Sequence, residues 1–292
     1  MRTVSNEDDD GMPLPGVLRY AAFTADPATG NPAGIVLDAT GIADSERQAI
    51  AAAVGYSETA FAEPLGDGEF ALRYFSPARE VPFCGHATLA TAVALAELHG
   101  AGRITFHTPV GEVVVTTTDG EGGVLARIDA PTGHSRPAAP EQLERLLAAL
   151  RWSRDDLDES LPPHVANAGT DHFVLAAGTR ERLAALAYDF DTLLRLMQDE
   201  DWITIQLVWM QAPDRYHSRN PFPVGGVVED PATGAAAAAF GYYLHALGKV
   251  PASRTITIIQ GEDMGRRSVI EVDVDEGPRV AVRGTAVRID PR

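Results

Sequence analysis

Two stretches decide the architecture: CGHATLATAVALAEL at residues 84–98 and PATGAAAAAFGYYLHAL at residues 231–247. Each predicts a helix, over His86 to Leu98 and over Gly234 to Leu247, because small residues follow a glycine near its start. Neither helix has more than a trace of a polar face, and such helices are buried nearly all round. The pattern therefore predicts one buried helix in each half of the chain.

The two stretches also indicate an internal duplication. They begin at Cys84 and Pro231, 147 residues apart, and the segments GNPAGIVL at Gly30 and GTDHFVLA at Gly169 are offset by a similar 139 residues. Each buried helix follows a strand and a proline-containing loop. Repeated order of elements at a fixed offset is typical of duplicated units, although α+β chains also contain similar segments by chance. A duplication predicts two like domains that face each other, with a cleft between the two helix N-termini.

Strands and shorter helices fill the rest of the chain. Apolar, β-branched runs between turn residues predict strands, and the helical patterns outside the two buried helices cover 44–54, 141–150 and 180–197. Asp44 or Ser45 can cap the first of these helices, and Gly55 can end it. The predicted strands are 18–23, 34–37, 59–62, 70–75, 104–107, 112–117, 124–128, 174–176, 203–210, 255–259, 269–274 and 280–289. The fold class is α+β and rich in strands. We expect a disordered acidic leader over 1–16 and two domains over 17–130 and 131–292, with the terminal strand free to pack back on the first domain.

Composition and charge exclude several classes of protein. The chain has 24 Lys and Arg residues against 41 Asp and Glu residues, so its formal net charge is −17. Nucleic acid and anionic membrane surfaces repel such a chain. One cysteine excludes an internal disulfide framework and a multi-cysteine zinc site, and the eight histidines lack metal-ligand spacing. No membrane span or signal peptide is predicted. We expect a cytoplasmic protein with no metal.

The helix starts offer a way for an acidic protein to bind a small acid. The first amides of a helix lack internal partners, and the helix dipole is positive there. Gly85 and Gly234 lie at these positions, and glycine allows a ligand to approach the backbone. Two converging helix starts would bind a carboxylate or a developing oxyanion. The alternative is that the small residues serve only to pack a central helix.

Three titratable residues are candidates for proton chemistry. Glu58 enters an apolar strand in SETAF, where it is either exposed to solvent or desolvated, and desolvation would raise its pKa towards neutrality. His86 could equally be a packing or capping residue, and Asp230 an ordinary N-cap. They occupy nearly matching places in the two halves, so they would meet across the cleft. Cys84 has no thiol counterpart in the second half, which excludes a two-thiol racemase and leaves it as a small buried residue.

Five blocks together resemble the PhzF-like (phenazine biosynthesis) isomerase family. They occur in the family's order and span nearly the whole chain beyond the leader. The blocks are AFTADPATGNPAGIVL at 22–37, SETAF at 57–61, LRYFSPAREVPFCGHATLATA at 72–92, GVVEDPATGAAAA at 226–238 and IIQGEDMGR at 258–266. The resemblance implies the fold of diaminopimelate epimerase, in which each of two similar, pseudo-symmetric domains wraps a barrel-like sheet around a central helix. It also implies a cofactor-independent isomerase, usually a homodimer.

The resemblance carries over site roles residue by residue. Glu58 would move a proton from one carbon to another, and His86 and Asp230 would hold the substrate's amino or hydroxyl groups. A further set would bind substrate, through backbone amides at the helix starts and one side-chain amide: Gly85, Gly234, Ala235 and Asn31. Ala235 replaces the serine that commonly follows the family's EDPATG, so a hydroxyl contact is lost. A site built around that contact would bind its usual substrate less well.

These observations predict an isomerase of secondary metabolism that catalyses a proton shift on a small cyclic or unsaturated carboxylic acid. It would need no cofactor and no metal. Two alternatives stay open. The first is a non-catalytic protein that binds small acids with the same fold, which the replacement at Ala235 favours. The second is a one-base racemase or epimerase of an amino acid.

Overall fold

A computed structural model of the chain describes residues 16–120, 122–277 and 279–289. The predicted disordered leader lies outside the described residues, apart from Gly16. The described part contains six α-helices: α1 Asp44–Val54, α2 Gly85–His99, α3 Pro140–Leu150, α4 Arg180–Ala184, α5 Phe190–Glu200 and α6 Gly234–Ala246. It contains seventeen strands: β1 Leu18–Ala22, β2 Asn31–Val36, β3 Thr59–Gly66, β4 Glu69–Phe75, β5 Glu80–Val81, β6 Arg103–Thr108, β7 Gly111–Gly120, β8 Gly123–Asp129, β9 His134–Pro137, β10 His164–Asn167, β11 Asp171–Ala176, β12 Trp202–Ala212, β13 Arg215–Pro221, β14 Glu229–Asp230, β15 Thr255–Gln260, β16 Ser268–Val274 and β17 Val280–Arg288.

Eight strands close into a barrel around α2. Their pairing runs β1–β2–β3–β4–β6–β7–β8–β17, and β17 returns to pair with β1. The β2–β3 and β4–β6 pairs are parallel, and the others are antiparallel. Closure removes the free sheet edges that would otherwise invite pairing with another chain. The predicted α+β class and the barrel-like sheet around a central helix are confirmed here.

A second run of eight strands surrounds α6. The pairing runs β9–β10–β11–β12–β13–β15–β16–β17, with the β11–β12 and β13–β15 pairs parallel. Strand β17 belongs to both sheets, since it pairs with β16 on one side and with β8 on the other. The two halves therefore share a strand and form one continuous sheet, although the chain is organised around two helices.

The central helices are buried almost completely. In α2 every residue from His86 to Ala96 is buried, and in α6 every residue from Ala236 to Leu244 is buried. The side chains of both helices belong to one apolar core that also contains Phe106 and Tyr216. Burial of an apolar side chain removes about 25 cal/mol of unfavourable hydration per Å². This core therefore holds the N-termini of both helices in place.

Smaller apolar layers cover the outside of the sheets. The amphipathic helices α3 and α5 pack on the second sheet through Leu146, Leu193 and Trp202. Helix α1 covers β3 and β4 through Ala51 and Phe61. These layers bury one face of each outer helix and leave the other in solvent, as expected for helices on the surface of a domain.

One predicted helix, over 180–197, is wrong as a single element. The structure divides it into α4 and α5, because Thr179 and Asp189 each cap a helix N-terminus through a side-chain oxygen. Thr179 accepts from the amide of Arg182, and Asp189 accepts from the amide of Thr192. A capping residue satisfies amides that a continuous helix would not leave free, so it favours a new start.

The first helix has the predicted bounds but not the predicted cap. The N-cap residue is Ala43 rather than the predicted Asp44 or Ser45, and Ala43 makes no side-chain capping bond. Asp44 instead pairs with Arg73 on β4. The helix ends as predicted at Gly55, which adopts a left-handed conformation with φ of 76°. No helix in the described residues is long and apolar enough to cross a membrane.

Candidate active site

The predicted site begins where β3 and α2 start in the first half of the chain. Glu58 immediately precedes β3, and His86 is the second residue of α2. The two side chains approach each other, with 3.6 Å between Glu58 Oε2 and His86 Nε2. The Glu58 side chain is 17% exposed and the His86 side chain 7%. Glu58 is thus the more accessible partner, neither fully desolvated nor fully exposed.

Asn31 connects this pair to the second half of the chain. Its side-chain nitrogen Nδ2 lies 3.3 Å from His86 Nδ1, donates to Asp230 Oδ1 at 2.8 Å and donates to the carbonyl of Ala232 at 3.1 Å. Asn31 is buried at the start of β2. The structure therefore brings together Glu58, His86, Asp230 and Asn31, which lie in four separate segments of the sequence.

Cys84 is the N-cap of α2 and lies against the same carboxylate and imidazole. Its thiol donates to Glu58 Oε2 at 3.5 Å, and Sγ lies 3.3 Å from His86 Nδ1 and 3.8 Å from Nε2. Burial, and secondly the neighbouring Glu58 carboxylate, raise the pKa of the Cys84 thiol well above its ordinary value. The sequence predicts only a small buried residue here, whereas the structure shows three metal-ligating groups, Glu58, Cys84 and His86, within 4.8 Å of one another.

The loop that carries Asp230 is held by a buried glutamine on β15. Gln260 Nε2 donates to the carbonyl of Asp230 at 2.8 Å and to Thr233 Oγ1 at 2.9 Å, while its Oε1 accepts from the amide of Thr233 at 3.1 Å. Thr233 Oγ1 in turn donates to Asp230 Oδ2 at 2.6 Å. Both carboxylate oxygens of Asp230 therefore accept hydrogen bonds, which fixes the orientation of the group.

The turn before Asn31 is fixed by a glycine and an arginine. Gly30 has φ of 72°, and a Cβ at this position would lie 2.5 Å from the carbonyl oxygen of Ala22. Only glycine adopts this conformation here without strain. Arg266 Nε donates to the Gly30 carbonyl at 3.0 Å, and Nη2 donates to that of Thr29 at 3.3 Å. The GNP sequence thus delivers Asn31 to the site.

Asp230 has an unusual protonation equilibrium. Burial raises the pKa of this carboxyl to about 6, against the opposing effects of His86 and of the hydrogen bonds from Thr233 and Asn31. Burial disfavours the charged form of a carboxyl group. Asp230 therefore exchanges a proton close to neutral pH and can act as a hydrogen-bond donor when protonated.

The two helix starts present free amides beside this cluster. The first bonds within the helices run from the amide of Thr88 to the carbonyl of Cys84 and from that of Ala237 to that of Thr233. The amides of 85–87 and 234–236 consequently have no partner inside their own helices. Gly85, Gly234 and Ala235 are partly exposed, so a ligand could reach them.

Packing does not explain the two glycines. Among the described residues not adjacent in the chain, a Cβ on Gly85 would lie nearest to the Phe83 ring, at 3.8 Å. A Cβ on Gly234 would lie nearest to the Phe23 ring, at 3.7 Å. These are ordinary van der Waals distances. The interpretation that the two glycines are needed only for close helix packing is therefore not supported.

All seven predicted site residues lie at or beside this cluster. Sequence reasoning missed the supports Gln260 and Arg266 and the contact between Cys84 and Glu58. Gln260 and Arg266 both fall in the block IIQGEDMGR. The block contributes to the family resemblance, but its sequence alone does not indicate that Gln260 and Arg266 support the site.

Comparison with known proteins gives a consistent result. The family model described as phenazine biosynthesis-like protein matches residues 20–291. The uncharacterized isomerase YddE of Escherichia coli strain K12 is 31% identical over 94% of this chain and 96% of its own length. The trans-2,3-dihydro-3-hydroxyanthranilate isomerase of Pseudomonas chlororaphis is 32% identical over 91% of this chain and 94% of its own length.

Solved structures share the fold. The PhzF-family phenazine biosynthesis protein of Bacillus anthracis superposes with a TM-score of 0.83 at 26% identity, covering 94% of this chain and 96% of its own. A probable proline racemase of Agrobacterium radiobacter K84 superposes with a TM-score of 0.63 at 13% identity, covering 94% and 90%. The second match shows the fold alone.

The two-domain α+β architecture and these relatives define the protein as an isomerase built on an epimerase-like fold. The chain belongs to the phenazine biosynthesis-like protein family, as its match over nearly the whole sequence shows.

Proposed function

We propose that the protein shifts a proton between two carbons of a small cyclic or unsaturated carboxylic acid, without a cofactor. The observation that carries this proposal is the meeting of Glu58, His86 and Asp230 at two helix starts, with 3.6 Å between Glu58 Oε2 and His86 Nε2. A positioned general base and a neighbouring hydrogen-bonding acid are what such a shift requires.

Glu58 is the proposed base. It is more accessible than His86, and it stands immediately before β3, beside the first turn of α2. In the proposed reaction its carboxylate takes a proton from one carbon of the substrate and, as a carboxylic acid, returns it to another. The same oxygen atoms serve both steps, so the reaction needs one base and no external oxidant or reductant.

His86 and Asp230 are proposed to hold polar groups of the substrate while the proton moves. Asp230 has a pKa raised to about 6 by burial, so either protonation state is accessible near neutrality. Asn31 donates to Asp230 and contacts His86. Its amide hydrogens therefore serve protein acceptors, and we assign it a positioning role rather than the substrate contact expected from the resemblance.

The substrate's carboxylate is proposed to bind the free amides at the helix starts. The amides of Gly85, Gly234 and Ala235 lie on partly exposed backbone, and helix N-termini bind anions through unpaired N–H groups and the helix dipole. This local positive field would act within a chain of net charge −17. It allows an acidic protein to bind an acid without a basic side chain.

Ala235 bears on which acid is bound. Its methyl group cannot make the hydroxyl contact expected from the resemblance, and loss of a buried polar contact lowers affinity for the substrate that needs it. We therefore propose a substrate related to, but distinct from, the trans-2,3-dihydro-3-hydroxyanthranilate in the name of the Pseudomonas chlororaphis relative. That compound remains the natural first probe. A cytoplasmic homodimer in secondary metabolism is proposed from the resemblance.

The decisive experiment is proton exchange in D₂O, followed by NMR on that compound and on small cyclic carboxylic acids. The parent protein should incorporate deuterium at a carbon of at least one acid, and Glu58→Gln should abolish the incorporation while the protein stays folded. Glu69→Gln is the matched control, since Glu69 is a surface carboxylate that also pairs with a histidine, His107. Exchange that survives in Glu58→Gln would rule out Glu58 as the base.

The same assay separates the two alternatives. A protein that only binds small acids would show ligand-induced stabilisation without any deuterium incorporation. A racemase would interconvert enantiomers of an amino acid, which optical rotation detects. Size-exclusion chromatography with light scattering would test the proposed homodimer.

A further inference from the structure

Three different metal-ligating atoms form a nearly equilateral triangle in the candidate site. Glu58 Oε2 lies 3.5 Å from Cys84 Sγ and 3.6 Å from His86 Nε2, and the third edge, from Sγ to Nε2, is 3.8 Å. Cys84 and His86 are buried, whereas Glu58 is partly exposed. The triangle therefore has one side open towards solvent.

Two of these edges match one face of a zinc coordination tetrahedron, and the third, from Sγ to Nε2, is slightly longer at 3.8 Å. Zinc binds thiolate, imidazole and carboxylate ligands at about 2.0 to 2.3 Å, which places the ligand atoms of a tetrahedral site about 3.3 to 3.7 Å apart. We propose that Glu58, Cys84 and His86 form a zinc-binding site, and that Zn²⁺ bound there inhibits the enzyme by occupying the proposed base. The binding rests on geometry alone, whereas the inhibition rests on the proposed function of Glu58.

The mixture of ligand types selects zinc over harder cations. Mg²⁺ and Ca²⁺ prefer sites built from oxygen alone, whereas thiolate and imidazole are ligands that zinc shares with Cd²⁺ and Co²⁺. The triangle supplies three protein ligands. The fourth position of the tetrahedron is left for water, as in other zinc sites with three protein ligands.

The local charge favours a divalent cation. The Glu58 carboxylate oxygen Oε2 lies 3.5 Å from the Cys84 thiol, so a carboxylate and a thiol that ionises on metal binding both supply negative charge to the site. When zinc binds, the S–H bond breaks, the proton passes to the buffer and an S–Zn bond forms without electron transfer. A bound metal makes the thiolate favourable even where burial opposes it.

The hydrogen bonds of Asn31 leave His86 free to adopt the tautomer that a metal needs. The side-chain NH₂ group of Asn31 has two hydrogens but lies near three acceptors. The contacts with Asp230 Oδ1 at 2.8 Å and the Ala232 carbonyl at 3.1 Å are shorter than the 3.3 Å contact with His86 Nδ1. If the two hydrogens serve the shorter contacts, Nδ1 can carry the ring proton and Nε2 keeps its lone pair for a metal. Because Cys84 Sγ lies nearer to Nδ1, at 3.3 Å, than to Nε2, at 3.8 Å, the His86 ring must turn about its Cβ–Cγ bond on metal binding to direct this lone pair to an ion shared with Cys84.

Cobalt and zinc titrations of the intact protein test the site. Co²⁺ should bind one ion per chain and give a thiolate-to-cobalt absorption band, and competition with Zn²⁺ then gives the zinc affinity. Cys84→Ala should lose the band and weaken zinc binding at least about a hundredfold, since even changes outside the ligand set cost about 10- to 100-fold. Glu58→Gln should keep the band and bind zinc more weakly than the parent.

His107→Ala is the matched control, because His107 pairs with Glu69 on the surface at 2.8 Å and both are exposed. It should leave the band and the affinity unchanged. Absence of the band in the parent, or equal zinc affinity in Cys84→Ala, would overturn the site. A loss of affinity in His107→Ala alone would show that zinc binds only at the surface.

Inhibition is measured separately from binding. In the deuterium-exchange assay, the zinc concentration that halves exchange should match the dissociation constant from the titration. Full deuterium exchange at saturating zinc would overturn the inhibitory role but not the metal-binding site. If no acid exchanges at all, the proposed function fails, and the absorption band still decides whether the metal site exists.

Discussion

The Nδ2 atom of Asn31 donates to Asp230 Oδ1 at 2.8 Å, across 199 residues of sequence. The bond connects the first residue of β2 in the N-terminal barrel to β14, which lies shortly before α6. Because the same Nδ2 atom also contacts His86 Nδ1, the distance between the proposed substrate-holding groups depends on this one buried side chain. Asn31 therefore couples the two halves of the chain at the candidate site.

We expect Asn31→Ala to lower both stability and activity. It removes the donor to Asp230 Oδ1 and to the Ala232 carbonyl, and an unsatisfied buried polar group costs about 1 to 3 kcal/mol. The Asn31 hydrogen bond opposes the rise in the pKa of Asp230, so that pKa should move further upward. Urea unfolding measures the first effect, and the carboxyl NMR titration of Asp230 measures the second.

Asn167→Ala is the control for this prediction. Asn167 also donates to an aspartate, Asp171, at 2.6 Å, but its side-chain partners lie in its own hairpin. It should lose stability without loss of exchange activity. Equal activity losses in the two variants would argue that Asn31 has no special role in positioning the site.

The raised pKa of Asp230 makes a specific contribution to the pH dependence of stability. Between the ordinary value of 3.8 and the folded value of about 6, the folded state binds a proton that the unfolded state has released. The stability from this group is fully present below pH 3.8 and is lost as pH rises through about 6. Asp230→Asn removes this loss. Its stability relative to the parent should therefore grow by up to about 3 kcal/mol between pH 4 and pH 7.

Urea unfolding at several pH values checks this expectation. Asp26→Asn is the control, because Asp26 opens the same pentapeptide, DPATG, on an exposed turn. The difference between Asp26→Asn and the parent should stay nearly constant over that range. If Asp230→Asn behaved in the same way, the carboxyl of Asp230 would not be protonated in the folded state near pH 6.

Sequence pattern predicted the elements whose burial is unambiguous. The helices at 85–99 and 234–246 follow from small apolar residues on every side, and α1 follows from capping candidates at its start and from Gly55 at its end. Strands β5, β9, β10, β13 and β14 were missed. Strand β9, HSRP, and strand β13, RYHSRNP, consist mostly of polar residues and proline. Their strand conformation comes from pairing with neighbours, which local propensity does not record.

The candidate site was predictable in its residue types and not in its distances. The identical pentapeptides at 26–30 and 230–234 show why. Asp26 forms an exposed turn in which its carboxylate accepts from the amide of Ala28, while Asp230 is held by Asn31 and Thr233. The difference arises from what the fold packs around each copy. The contact between Cys84 and Glu58 likewise appears only when β3 and α2 are placed side by side.

We expect Gly234→Ala to weaken acid binding without weakening the fold. The added methyl group meets Phe23 at an ordinary 3.7 Å, and alanine is favourable by up to about 1 kcal/mol over glycine in a helix. The methyl group would, however, crowd a carboxylate at the first amides of α6. The KM of the exchanging acid should therefore rise more than kcat falls, while the urea midpoint stays the same or increases.

Gly133→Ala is the comparison variant for Gly234→Ala, because packing requires a glycine at position 133. A Cβ there would lie 2.1 Å from the carbonyl oxygen of Asn167 and 2.5 Å from the ring of Tyr242, so something must move. We expect a loss of about 1 to 3 kcal/mol in stability, seen in urea unfolding. A Gly234→Ala protein that was equally destabilised, with an unchanged KM, would mean that Gly234 serves packing after all.

The residue before Asp230 belongs to a buried ion pair that we expect to hold the loop. Glu229 accepts from Arg219 Nε at 2.9 Å and from Nη2 at 2.5 Å, and the two side chains are 3% and 12% exposed. Arg219→Met would leave the carboxylate buried without its partner, which costs about 3 to 5 kcal/mol. Urea unfolding should show this loss, and exchange activity should fall because Asp230 is the next residue.

A double-mutant cycle separates the contribution of the Arg219–Glu229 ion pair to stability from the cost of leaving one charged side chain buried without its partner. Replacing both groups, with Arg219→Met and Glu229→Leu, removes the uncompensated charge, so the double variant should be more stable than Arg219→Met alone. Arg154→Met is the surface control, since Arg154 and Glu144 are 62% and 59% exposed. It should change stability by less than about 1 kcal/mol. A double variant no more stable than Arg219→Met would show that the arginine acts chiefly through its bond to the Ala184 carbonyl, because that contact is lost in both.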